Sequence, residues 1–148
     1  MEKFDVLQRS PLFQTLSASE VELAADMSRP RRFAAGEVVF EQGDLGEALF
    51  VIADGEAEVL CRNDDGELRV LETLEPPDFF GEMSLIDKAE RSATVRAKTE
   101  CVVLELTAAN FATFRKHYRD GFTFVIMNIA RVLSSRLRET NVRLTVRL

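Results

Sequence analysis

The chain has 148 residues, the length of one ordinary domain, and enough apolar sequence, 46% of residues, to build a sizeable core. With 30% charged residues it reads as a folded chain, neither disordered nor collagenous, and no apolar run approaches the roughly 20 residues of a membrane span. A net charge of −6 argues against a nucleic-acid surface spread over the whole domain, and a single histidine, His117, leaves metal-dependent hydrolysis or a Ser-His-Asp triad unsupported.

The first ten residues lack the basic stretch and apolar core of a secretory signal, so a cytoplasmic location is expected. Ser17-Ala18-Ser19-Glu20 is a capping box, in which the Ser17 hydroxyl accepts from the Glu20 amide while the Glu20 carboxylate reaches back. Leu16 and Val21 stand at the spacing of a hydrophobic staple, so a helix is predicted from about Ala18 to Met27, and Pro30 bars its continuation. From Arg31 to Leu106 the texture changes to short apolar runs cut by glycines. Val38–Phe40, Leu49–Ile52, Ala57–Cys61, Leu68–Leu71, Ala93–Val95 and Cys101–Leu104 read as strands, and Asn63-Asp64-Asp65-Gly66 as a hairpin loop with Gly66 at positive φ. Cys61 and Cys101 match neither a metal-ligand spacing nor a Cys-x-x-Cys, and are expected to be free, buried thiols of a reducing compartment. Many short strands without intervening helices point to a sandwich, barrel or jelly roll and away from a parallel α/β sheet.

After Leu106 the pattern returns to helix. Thr107 to about Tyr118 is one short element, and Asp120 is expected to cap a longer one whose apolar positions Phe122, Ile126, Ile129, Leu133, Leu137, Thr140 and Leu144 recur three or four apart. Val125 and Val132 widen the stripe, and apolar residues on more than one face point to a homodimer seam. The end of this helix carries Arg131, Arg136, Arg138, Arg143 and Arg147 against Glu139 alone, cations that complement a helix C-terminus and are otherwise solvated. Arg136 falls near the apolar stripe and is expected to have a carboxylate or ligand partner. His117, flanked by basic residues, reads as a surface residue. Neither repeat nor linker interrupts the sequence, so one domain is expected over residues 1–148: a helical segment 1–30, a β-core 31–106 and helices 107–148.

The stretch that carries chemistry is residues 78–95, Asp-Phe-Phe-Gly-Glu-Met-Ser-Leu-Ile-Asp-Lys-Ala-Glu-Arg-Ser-Ala-Thr-Val. Gly81, where backbone can approach a ligand, stands at the mouth of a short helical turn whose free amides suit an anion. Arg91, ten residues on, offers a guanidinium for bidentate pairing with a phosphate, and the Ser92 hydroxyl and Ala93 amide add donors. Glu82 beside an anion is better explained as the acceptor for a neutral hydroxyl such as a ribose 2′-OH. The plainer alternative is a structural turn in which Arg91 pairs with Glu82 or Asp87.

A phosphate and a sugar hydroxyl held side by side describe a compact nucleotide, and the run closely resembles the phosphate-binding cassette of cyclic nucleotide-binding domains. Upstream, Ala35–Asp44 and Leu49–Gly55 resemble that family's glycine-bearing strand pairs, so the resemblance spans essentially the whole chain. It implies a mainly β fold with flanking helices, a double-stranded β-helix or jelly roll holding a 3′,5′-cyclic nucleotide. By the same resemblance Glu82 takes the ribose 2′-hydroxyl, Arg91 and Ser92 hold the cyclic phosphate, and the amides of Met83 and Ala93, after Gly81, complete the cradle. Val59 and Leu71 would line the base pocket. The last helix resembles that of the bacterial catabolite-activator branch, which forms a dimer seam and closes over the base. On that alignment Arg136 approaches Glu82 and the ribose, and Thr140 and Asn141 meet the base edge, one of them from the partner subunit.

Two positions depart from the family pattern: Pro77 stands where glycine is frequent, and Glu90 where proline is frequent, which sets a negative charge beside Arg91. The regulators of this branch continue into a helix-turn-helix domain; the sequence to Leu148 holds no recognition helix, so no direct DNA binding is expected. The resemblance therefore implies a non-enzymatic sensor for cAMP, with cGMP second, that uses no metal and signals through its C-terminal helices to a partner protein or across a homodimer. Thr140 and Asn141, which both donate and accept, favour an adenine edge, while Ser92 serves either base. The alternative is a dimeric interaction module with a vestigial pocket.

Overall fold

The computed structural model describes residues 2–87 and 90–147, with side chains described to residue 139. The capping box forms as read: Glu20 N donates to Ser17 Oγ at 3.3 Å and Ser17 N to Glu20 Oε1 at 2.9 Å, opening helix α2, Ala18–Met27. A first helix, α1 (Lys3–Arg9), precedes it within the helical segment expected over residues 1–30, at bounds that the sequence did not indicate. After Ser28 the chain turns directly into strand β1, Arg29–Phe33, two residues before the expected start of the β-core. Only Phe33 in Arg-Pro-Arg-Arg-Phe is apolar and buried, so nothing local announces a strand; Pro30 is tolerated because β1 is an edge strand.

The remaining strands are β2 (Val38–Phe40), β3 (Ala48–Asp54), β4 (Ala57–Arg62), β5 (Leu68–Leu74), β6 (Phe79–Phe80), β7 (Thr94–Ala97) and β8 (Cys101–Thr107). They pair antiparallel in two four-stranded sheets, ordered β1-β8-β3-β6 and β2-β7-β4-β5, and form a jelly roll. Helix α3, Met83–Ile86, follows β6. Thr107 caps α4, Ala108–His117, by a second reciprocal box with Asn110, and Tyr118 separates it from α5, Arg119–Arg147. Asp120 is therefore not the cap that the sequence suggested: it lies inside the first turn of α5, where its charge still complements the helix dipole.

The central strands of the first sheet, β3 and β8, are buried on both faces, which is why they read as continuous apolar runs. Ala48, Phe50 and Ile52 of β3 and Cys101 and Val103 of β8 point into the roll, with Phe33, Leu74, Phe80 and Val95. The alternate residues Leu49, Val51, Leu104 and Leu106 face a second core with Leu7, Phe13, Val21 and Phe114 from the helical segments. Val125 and Ile129 insert α5 into that second core. Between them Asn128, only 4% exposed, donates to Leu12 O at 2.8 Å and Thr15 Oγ1 at 3.1 Å, tying α5 to the N-terminal segment.

Cys61 is half-buried and Cys101 buried, and both are free. Burial, with Asp54 adding, pushes the Cys101 thiol up to about 11. His117 is exposed, its ring Nδ1 3.0 Å from Thr113 O.

Candidate ligand-binding site

Gly81 ends β6 at φ +80°, a backbone conformation that side chains rarely adopt. This turn aims α3 across the open end of the roll and leaves a cavity of about 140 Å³ between α3, the second sheet and α5. Gly81, Glu82, Met83, Arg91, Ser92, Ala93, Val59 and Arg136 all line it. Residues scattered over nearly eighty positions of sequence thus meet in one place because antiparallel pairing lays β7 beside β4 while α5 returns over the mouth.

Arg91 is fixed from several directions. Its backbone is pinned to the preceding loop, with Arg91 N donating to Asp44 O at 2.7 Å and Gly43 N to Arg91 O at 2.9 Å. Nη1 donates to Gly81 O at 3.2 Å and to Ser84 Oγ at 2.8 Å, and Nη2 to Ala48 O at 2.8 Å. The guanidinium carbon lies 4.0 Å from the Phe40 ring centroid, a cation–π contact. Burial lowers the pKa of this guanidinium from its ordinary value, while Asp44 and Glu82 oppose the shift. Among the described residues Arg91 forms no ion pair with Glu82 or Asp87, unlike the structural turn considered from sequence. Among the described residues three of its five N–H donors are engaged, leaving Nε–H and one hydrogen of Nη2, two donors that suit an anion.

Glu82 is 8% exposed, and its Oε1 stands 3.8 Å from Arg136 Nη1. Arg136 also lies over the Phe79 ring at 5.8 Å. The pairing leaves Glu82 an acceptor-rich carboxylate beside an apolar wall of Val59, Leu74, Phe80 and Val95. An arginine with two N–H donors to spare, a carboxylate with acceptor capacity and an apolar wall are three features that suit a molecule joining a phosphate, a sugar and a base. Among the described residues no group of three or more His, Cys, Asp or Glu side chains is placed to hold a metal ion.

Leu71 does not line the cavity; it is 61% exposed. The β4–β5 ladder passes from Val59↔Glu72 to Leu60↔Val70, so Leu71 is the extra residue of a bulge and Glu72 takes the lining position. Thr140 and Asn141 lie outside the residues whose side chains are described. Sequence reasoning missed Phe40, Glu72 and Ser84. Ser84 lay in the quoted segment, two residues after Glu82, and a hydroxyl one helical step into the turn was its only signal. Phe40 belongs to a predicted strand, but nothing local tells that its ring lies against Arg91.

Residues 30–118 match the family model of the cyclic nucleotide-binding domain. Over 138 residues, 93% of this chain and 62% of the relative, the sequence is 36% identical to the cyclic AMP receptor protein of Thermus thermophilus. The crystal structure of the Thermus thermophilus catabolite activator protein superposes with a TM-score of 0.80 at 36% identity, again covering 93% of this chain and 62% of that one. A cAMP-dependent protein kinase regulatory subunit from Mycosarcoma maydis is 42% identical over 96 residues, 65% of this chain and 18% of the relative. The chain thus spans less than two-thirds of the length of these relatives. With the jelly roll, the cassette at residues 78–95 and these matches in agreement, this chain belongs to the cyclic nucleotide-binding domain family.

Proposed function

We propose that this chain is a non-enzymatic sensor module that binds a 3′,5′-cyclic nucleotide, cAMP in preference to cGMP, and passes occupancy to α5. The observation that carries the reading is Arg91: three of its donors are held by Gly81 O, Ser84 Oγ and Ala48 O, and the remaining pair suits one phosphate. Ser92 and the amides of Met83 and Ala93 add donors around it, and Glu82 accepts the ribose hydroxyl beside it. Relatives named for cAMP, in bacteria and fungi, favour adenine.

Transmission rests on Arg136, the α5 residue that reaches Glu82. A ligand seated against Glu82 stabilises the position of α5 in which this contact is made, and only such a difference in affinity between helix positions can produce a signal. Phe124, Met127 and Leu137 lie exposed along α5, which supports a homodimer seam on this helix.

Isothermal titration of the protein with cAMP and with cGMP, in parallel on Arg91→Ala, tests the reading. Micromolar binding of cAMP, about −8 kcal/mol, weaker binding of cGMP and loss of both in Arg91→Ala are expected. Absence of heat with either nucleotide, and of any melting shift at millimolar ligand, would instead favour a dimeric interaction module with a vestigial pocket.

A further inference from the structure

Gly46 poses a question that the backbone does not answer. Its φ is outside the left-handed region that favours glycine, and it lies in no turn. A Cβ placed there would nevertheless overlap Cζ and Nε of Arg91 and lie 2.6 Å from Ser84 Oγ. The nearest atoms in its way all belong to side chains, and none to the backbone. The missing methyl group therefore makes room for the guanidinium of Arg91 together with the Ser84 hydroxyl that it engages.

The same guanidinium has the Phe40 ring against it at 4.0 Å and the Ser84 hydroxyl at 2.8 Å, and Ser84 is itself 8% exposed. Gly46, Phe40 and Ser84 come from three separate segments and leave the planar group little freedom to rotate. We propose that Gly46 and Ser84 are positioning residues for Arg91: by fixing which three N–H groups the protein consumes, they fix which edge, Nε–H with one Nη2–H, is turned to the ligand phosphate. This rests on the cyclic-nucleotide reading above, and makes Gly46 and Ser84 the residues that set how Arg91 meets the two exocyclic oxygens of the phosphate. Those oxygens are inequivalent in the bound ligand, and an arginine held on one edge meets one of them more closely than the other.

Replacing one exocyclic oxygen by sulfur gives Rp and Sp phosphorothioates of cAMP, which read the orientation directly. Titration of the whole chain with cAMP, cGMP and both phosphorothioates, on wild type, Gly46→Ala and Ser84→Ala, is the test, with melting temperature recorded for each. In Gly46→Ala the nearest atoms displaced are side-chain ends, the Arg91 guanidinium and the Ser84 hydroxyl, so the guanidinium is pushed from its hydrogen-bonded position while the fold is expected to hold. Binding of cAMP and cGMP weakens together by about tenfold, the worth of one charge-assisted contact, and the Rp/Sp affinity ratio changes. Ser84→Ala, which removes only the hydroxyl that engages Nη1, shifts the same ratio and guards against a folding defect in the first variant. Wild-type affinities and an unchanged ratio in both variants would overturn the proposal, as would loss of affinity that tracks a falling melting temperature while the ratio stays constant. Failure of wild type to bind either cyclic nucleotide would overturn the functional reading, and this one with it; normal wild-type binding with unaltered variants would overturn only the role of Gly46 and Ser84.

Discussion

Asn128→Ala isolates the tie between α5 and the N-terminal segment. The side chain is 4% exposed, donates to Leu12 O at 2.8 Å and to Thr15 Oγ1 at 3.1 Å, and accepts from Arg131 Nη1 at 3.2 Å. Thr15 and Arg131 are exposed and recover water when the amide is removed, so their loss costs little. The carbonyl of Leu12, a fully buried residue, has no such recourse. Leaving a buried acceptor unpaired costs about 1–3 kcal/mol, and we take about 2 kcal/mol for the substitution. At about 2–4 °C per kcal/mol for a chain of this size, the melting temperature should fall by about 4–8 °C. Differential scanning calorimetry on the whole chain measures this, and Asn128→Asp, which keeps the acceptor and loses the donor, should fall at least as far. A shift of under about 1 °C in both variants would refute the reasoning, because it would mean that Leu12 O finds another partner at no cost.

The Cys101 thiol, raised to about 11 by burial and by Asp54, keeps its proton in the folded state at pH values where an unfolded thiol, near about 8.5, has lost it. The unfolded state then binds fewer protons, so this contribution is fully present below about pH 8.5 and fades toward about 11; the fall of melting temperature with pH across that window should be shallower in Cys101→Ala. Leu71→Ser should leave stability within about 0.5 kcal/mol, since the side chain is 61% exposed, whereas Leu74→Ala, 1% exposed in the roll interior, should cost about 2–5 kcal/mol; urea titrations of both decide.

What was legible in the sequence was whatever a local rule dictates. Ser17 and Glu20 name their helix because a capping box is made within four residues, and the unbroken apolar run Leu49–Ile52, bounded by turn residues, names a strand, which the structure covers on both sides. The features that escaped are set by distant partners. Strand β1 exists because β8 supplies its hydrogen bonds, with Arg31 opposite Val103, and its own sequence is mostly arginine. The bulge at Leu71 moves a glutamate into the position that the family resemblance assigned to a leucine; no residue type there signals an extra residue. Within the site, Gly81, Glu82 and Arg91 were found because they lie in one contiguous motif. Gly46 and Phe40 lie against Arg91 from 45 and 51 positions away, and only the closed roll brings them to it.

Strand β6 is two residues long, yet its side chains belong to different interiors. Phe80 stacks with Phe50 at 5.1 Å on the cavity side, and Phe79 lies in the helical core beneath Arg136. The two chambers are therefore separated at this point by a single peptide unit, and neither can change volume there without the other registering it. Drift at Phe79 or Phe80 has to satisfy two jigsaws at once, so this short segment is more tightly constrained by its surroundings than its length in the sheet would suggest.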